Sequence, residues 1–145
     1  MWGVPLLTKR ENSIVSRMMK FGSVGALGAV TNMLIYTTLI FFDTNYNLAA
    51  VAAFLVAVTQ NFTLNKRWTF RDHDVTVQHR FVKYLLLNFL SFLLNLAILN
   101  LVIHFLGIEK SVQIAAQALG ILGAMSTNFI GSHMVVFKTW GEGES

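Results

Sequence analysis

Carboxamides recur where a chain of this kind should hold only carbon. Asn32 and Asn95 each sit inside a long uncharged apolar run, 63 residues apart. Gln60, Asn61 and Asn65 come late in a second run, with Asn61 and Asn65 four apart on one helical face, and Asn128 and Ser132 repeat that face in a fourth. A carboxamide donates and accepts hydrogen bonds without titrating, so this is a chemistry of binding rather than proton transfer. Beside these runs stands a second set, Lys66, Arg67 and Arg71 with Lys20, Arg80 and Lys83. Guanidinium grips phosphate with paired hydrogen bonds and ammonium acts as a point charge, so these cations can form an anion-binding collar. They also fit the plainer role of fixing membrane orientation.

The elements that position them are four apolar runs. No Asp, Glu, Lys or Arg lies between Lys20 and Asp43, Asp43 and Lys66, Lys83 and Glu109, or Lys110 and Lys138. Each run meets the ~20 residues that a helix needs to cross hydrocarbon. Helices are predicted near 18–42, 46–68, 82–106 and 111–136. The composition agrees: the 145 residues are 54% hydrophobic and only 12% charged, against about 25% in soluble domains. The first run is longer than a signal-peptide core of about 7–15 residues and is read as a mature helix.

The chain is also written twice. Arg17, Lys20, Phe21 and Asn32 return as Arg80, Lys83, Tyr84 and Asn95 at an offset of 63, and Asn61-Phe62 and Phe70-Arg71 return as Asn128-Phe129 and Phe137-Lys138 at an offset of 67. Two helices per copy give both copies the same sense. The fold class is therefore an all-α membrane protein of four transmembrane helices, arranged as two tandem parallel two-helix repeats, about 17–71 and 80–138. Residues 1–16 read as a cytoplasmic lead-in, 17–140 as the transmembrane domain and 141–145 as a cytoplasmic tail. Ten of the eleven Lys and Arg residues fall on one side and only Lys110 on the other, which puts both termini and the central loop in the cytoplasm. The outer links, 43–46 and 107–110, leave no room for an outer domain.

The string Asn61-Phe62-Thr63-Leu64-Asn65-Lys66-Arg67-Trp68-Thr69-Phe70-Arg71, at the exit of the second of four helices, together with Arg17-x-x-Lys20-Phe21, Gly22, Gly25 and Asn32, resembles the GtrA-like family of small four-helix membrane proteins. The resemblance covers about residues 17–138. It implies movement of a polyprenyl-phosphate-linked monosaccharide across the inner membrane for cell-surface polysaccharide glycosylation, beside a polyprenyl-phosphate glycosyltransferase as partner. On that reading Lys66, Arg67, Arg71, Lys20, Arg80 and Lys83 would hold the lipid phosphate, and Asn32, Asn61, Asn65, Asn95 and Asn128 would form a polar path for the sugar. The second copy has Ser132, His133, Met134 and Val135 in place of Asn65, Lys66, Arg67 and Trp68, which favours one asymmetric site over two equal ones.

Other readings of the same residues stay open. Asn32 and Asn95 equally suit interhelical hydrogen bonds. Asn61 and Asn65 suit a wetted helix end. Gly22, Gly25 and Gly28, the alanines at 49, 50, 52, 53 and 57, and Gly120, Gly123 and Ala124 suit close helix approach, or else a cleft for a prenyl chain. Gln113 and Gln117, at the outer start of the fourth helix, read most simply as exposed to water. Trp68 and Phe70 fit an interfacial anchor. Lone His104 and His133 lack carboxylate neighbours, and all seven carboxylates fall outside the helix cores. No catalytic residue, metal site or cofactor is expected, and the basic balance calls for membrane lipid rather than nucleic acid. The alternative function is a membrane anchor or scaffold for the glycosyltransferase, with no transport of its own. A small drug or ion exporter is disfavoured by the missing intramembrane acid. Four helices enclose little volume, so a homo-oligomer could complete the path.

Overall fold

The computed structural model describes residues 4–69 and 75–132, with side chains described at 15, 16, 19–68, 82, 83 and 85–131. Four helices run in order: α1 Val4–Phe41, α2 Tyr46–Leu64, α3 Val75–Leu106 and α4 Lys110–Ser132, with a π-helical turn, Asn65–Thr69, continuing α2. All four carry spans long and apolar enough to cross a membrane: Met19–Phe41, Tyr46–Trp68, Leu85–Leu106 and Lys110–Gly131. The chain is a multi-pass membrane protein. Only 22–28% of each span's most apolar window is buried inside the bundle, so the outward leucines and phenylalanines, among them Leu34, Leu90 and Phe129, must be matched by hydrocarbon.

Two ends differ from expectation. The segment read as a lead-in is helical from Val4, and α3 begins at Val75 rather than near 82. Polar helix formers such as Lys9, Arg10 and Glu11 let a helix continue past the apolar run, so hydropathy marked the membrane boundary and not the helix end. The tail 141–145 lies outside the described residues.

The link 43–46 is built from specific hydrogen bonds. Asp43 takes φ 58°; its N–H donates to Ile40 O at 3.0 Å, and that of Thr44 donates to Leu39 O at 3.0 Å. This is a Schellman stop, which satisfies carbonyls that α1 leaves open. Asn45 Oδ1 then caps α2 by accepting from the N–H of Asn47 (2.9 Å) and Leu48 (3.4 Å). Gly107, at φ 100°, plays the left-handed role after α3. Lys110 Nζ meets Asp43 Oδ1 at 2.8 Å, so the two links are clasped by an exposed ion pair.

Helices α1 and α2 pack as one hairpin and α3 and α4 as another, and α1 against α4 is the closer of the two seams between hairpins. The apolar core is concentrated toward the links, where Tyr36, Ile40, Ala49, Ala50, Ala53, Leu99, Ile103 and Ala116 form one buried cluster. Small side chains on α2 permit this closeness. We call this the link end, and the opposite one, which carries Lys66, Arg67 and Lys83, the basic end.

Candidate functional site

Toward the basic end the packing opens. A cavity of about 150 Å³ lies among all four helices, walled by Asn32, Asn61, Asn95 and Asn128 and also by Asn88, Ser91, Phe54 and Phe92. Four of the five carboxamides read from the sequence as a polar path thus meet around one space. The fifth, Asn65, does not: it is fully buried in the π-helical turn and is not part of the wall. Asn65 keeps its α-helical spacing from Asn61, with φ −64°, ψ −41° and its N–H donating to Asn61 O, but it lies one turn beyond the wall.

The wall is made largely of positions paired at the offsets of 63 and 67. Asn32 faces this space with Asn95, Asn61 with Asn128, Gly25 with Asn88, and Gly28 with Ser91. The pairs are not chemically equal. Gln117 Nε2 donates to Asn32 Oδ1 at 2.8 Å, a fully buried bond joining α4 to α1. The position related to Gln117 by the offset of 67 is Ala50, which brings no amide. Asn95 Oδ1, although buried, has no hydrogen-bond partner. Asn61 Oδ1, Asn128 Oδ1 and Ser91 Oγ are likewise buried and unpartnered. Asn128 Nδ2 donates to Asn88 Oδ1 at 3.3 Å. An unpaired buried acceptor costs free energy, and these four, like Gln117 Oε1, are covered by neighbouring protein rather than open to the cavity, Asn95 Oδ1 lying against Gly120.

Glycines seat these amides. A Cβ on Gly28 would collide with the Asn61 carboxamide, and one on Gly120 with the Asn95 carboxamide and, at 3.0 Å, the Asn95 backbone oxygen. Here the small residues permit close approach. Gly22 and Gly25 have nothing within 4 Å of an added Cβ and line the cavity instead, which agrees with a cleft. The two readings of the glycines therefore divide along α1. Phe54 and Phe92 stack at 4.1 Å and 14° across the α2–α3 seam and form an apolar wall.

The basic residues stand outside the cavity. Lys66, Arg67 and Trp68 are exposed on the π-helical turn and Lys83 is exposed on α3. Lys20 Nζ lies 5.7 Å from the centre of the Trp68 ring, within cation–π range. Arg71 lies outside the described residues, as does the side chain of Arg80. Gln60 Oε1 accepts from Thr31 Oγ1 at 2.9 Å and joins α1 to α2.

One expectation is corrected. Gln117 is not exposed to water at a helix start; it is 0% exposed, because α1 presents Asn32 to it. Gln113 is half-buried, its carbonyl accepting from the Tyr36 hydroxyl at 3.2 Å. The sequence reading also missed Asn88, Ser91 and the facing pair Asn47 and Asn100, whose amides exchange hydrogen bonds of 3.2 and 2.8 Å between α2 and α3. For Asn88 and Ser91 a signal existed, since they lie seven and four residues before Asn95, on its face of α3.

Residues 20–137 match the family described as GtrA/DPMS, transmembrane domain. The chain belongs to that family. The match runs from Lys20, the last cation of α1, to beyond the end of α4, so the whole cavity wall lies within the GtrA/DPMS domain. No curated protein and no solved structure matches the chain.

Proposed function

We propose that this GtrA/DPMS-family protein moves a polyprenyl-phosphate-linked monosaccharide across the inner membrane. The basic end faces the cytoplasm, as the distribution of Lys and Arg implies. One observation carries the reading: a cavity inside a membrane bundle, walled by asparagines from all four helices.

The division of labour follows from the chemistry. The prenyl chain stays in hydrocarbon. The phosphate engages Lys66 and Arg67, which directly follow the amide-bearing part of α2, with Lys20 and Lys83 nearby in the collar. The sugar enters between Asn61, Asn128 and Asn95. The cavity lies toward the basic end and the apolar cluster toward the link end, an arrangement that suits loading from the cytoplasmic leaflet. No carboxylate lines the described wall to couple a proton gradient, so movement is passive, or is drawn by use of the lipid on the far side. A glycosyltransferase supplies the lipid-linked sugar.

The test is reconstitution of the whole chain in liposomes with a fluorescent polyprenyl-phosphate sugar, followed by an impermeant quencher. Folded protein should expose the protected inner pool rapidly, and Lys66→Ala with Arg67→Ala should slow this at least tenfold. A pool that stays protected would reject translocation by this chain alone and favour the scaffold.

A further inference from the structure

Two seams join the hairpins, and they are tied differently. Across α1–α4 the Gln117–Asn32 bond is buried, and Gln117 Oε1 already lacks a partner. Parting this seam would strand Gln117 Nε2 and Asn32 Oδ1 as well, in a medium that supplies no replacement. Nearer the link end the Tyr36 hydroxyl donates to Gln113 O at 3.2 Å, and Lys110 Nζ reaches Asp43 Oδ1 at 2.8 Å and Phe41 O at 3.4 Å. Across α2–α3, the more distant seam, the ties are of another kind. Asn47 and Asn100, both half-buried, exchange amide bonds of 3.2 and 2.8 Å, and Phe54 stacks on Phe92. Asn100 Nδ2 also donates to Leu96 O of its own helix at 2.8 Å, so it keeps a partner when the pair parts. These ties stand between two spaces. Phe54 and Phe92 belong to the cavity wall, whereas Asn100 lines a groove at the link end with Tyr46, His104 and Gly107. Asn47 and Phe54 are two turns apart on α2, so the two closures sit on one face about 10 Å from each other along the axis.

We propose that the α2–α3 seam is the exit gate for the lipid-linked sugar: the Phe54–Phe92 stack closes it on the cavity side and the Asn47–Asn100 pair on the link side, while the α1–α4 seam stays shut as the hinge. The cargo in this proposal rests on the translocation reading, but the opening of one seam and not the other is testable apart from transport. A sugar hydroxyl both donates and accepts, as a carboxamide pair does, so a passing sugar can take the place of each amide's partner. Interhelical amide bonds in a membrane are modest in strength, which suits a closure that must part and re-form. A seam that opens sideways also suits a cargo whose prenyl chain never leaves hydrocarbon.

The chain has no cysteine, so thiols can be placed in pairs. Spin labels on Leu48→Cys with Leu101→Cys, two exposed positions flanking α2–α3, report one seam by pulsed dipolar distance measurement. Labels on Leu34→Cys with Leu119→Cys, also exposed, report the other. An equimolar mixture of citronellyl phosphates bearing glucose, galactose, mannose or N-acetylglucosamine should add a second population to the first pair, longer by on the order of 5 Å, the scale of a one-turn helix shift, and leave the second pair unchanged. In liposomes, a short bis-methanethiosulfonate tether between Asn47→Cys and Asn100→Cys should slow movement of the fluorescent lipid-linked sugar at least tenfold relative to the same variant untethered, and reductant should restore it. The same tether between Asp43→Cys and Lys110→Cys should leave movement within twofold. No lengthening at Leu48–Leu101, lengthening at Leu34–Leu119 instead, or a tethered α2–α3 seam that still moves the sugar at full speed overturns the proposal. Lengthening at Leu48–Leu101 in a protein that moves no lipid-linked sugar keeps the gate and removes translocation by this chain alone. Movement with both distances fixed keeps translocation and removes the gate.

Discussion

A methyl group added at Gly25 would touch nothing within 4 Å, whereas one added at Gly120 would lie 3.0 Å from the backbone oxygen of Asn95 and closer still to its side chain. Backbone cannot swing aside as a side-chain tip can. Gly120→Ala should therefore destabilise the protein by about 1–3 kcal/mol, the usual cost of overpacking, read as easier unfolding in a denaturing-detergent titration. Gly25→Leu should leave that titration nearly unchanged while blocking lipid-linked sugar movement, because it fills the cavity rather than the core. Equal effects at the two positions would contradict the division drawn here between seat and wall. At this scale Asn32, Asn61, Asn95 and Asn128 were legible, since an amide stands out in an apolar run. The difference between Asn32 and Asn95 was not, because it depends on Gln117, which lies 85 residues from Asn32 in sequence and meets it only through the packing of α4 on α1.

The elements were legible in number and kind because hydrophobic length specifies a membrane helix directly. Their ends were less so. Hydropathy has nothing to say about where Lys9, Arg10 and Glu11 stop being helical, and the π-helical turn at Asn65 carries no breaker to announce it. The links are clearer. Gly107, at φ 100°, holds a conformation that a Cβ disfavours, so Gly107→Ala should cost about 1 kcal/mol in the same titration. Asp43 holds the left-handed turn after α1 at φ 58° with a side chain and also accepts the ion pair from Lys110. Its partner is about half exposed, so Lys110→Ala should shift the titration far less than Gly107→Ala does.

Across the whole molecule, one end is filled by an apolar cluster and the other encloses a polar space, and the α1–α4 seam between the hairpins is joined by the buried Gln117–Asn32 bond. Removing either partner strands a polar group. Gln117→Leu and Asn32→Leu should each destabilise by about 1–2 kcal/mol, and the double variant by clearly less than their sum. Full additivity in that cycle would mean the bond contributes nothing. The offsets of 63 and 67 stand in the sequence, and most wall positions fall at those same offsets. What was hidden is how far the copies have parted where it matters. That parting has an evolutionary consequence. An ancestral hairpin pairing with its twin would have carried the same residue at both positions now held by Ala50 and Gln117. Two copies of today's first hairpin would offer alanine to both Asn32 side chains, and two copies of today's second would offer glutamine to both Asn95 side chains, leaving either no amide locked or none free. With both hairpins in one chain, a single seam carries the bond and the other does without it, so neither half, dimerised by itself, could rebuild the site.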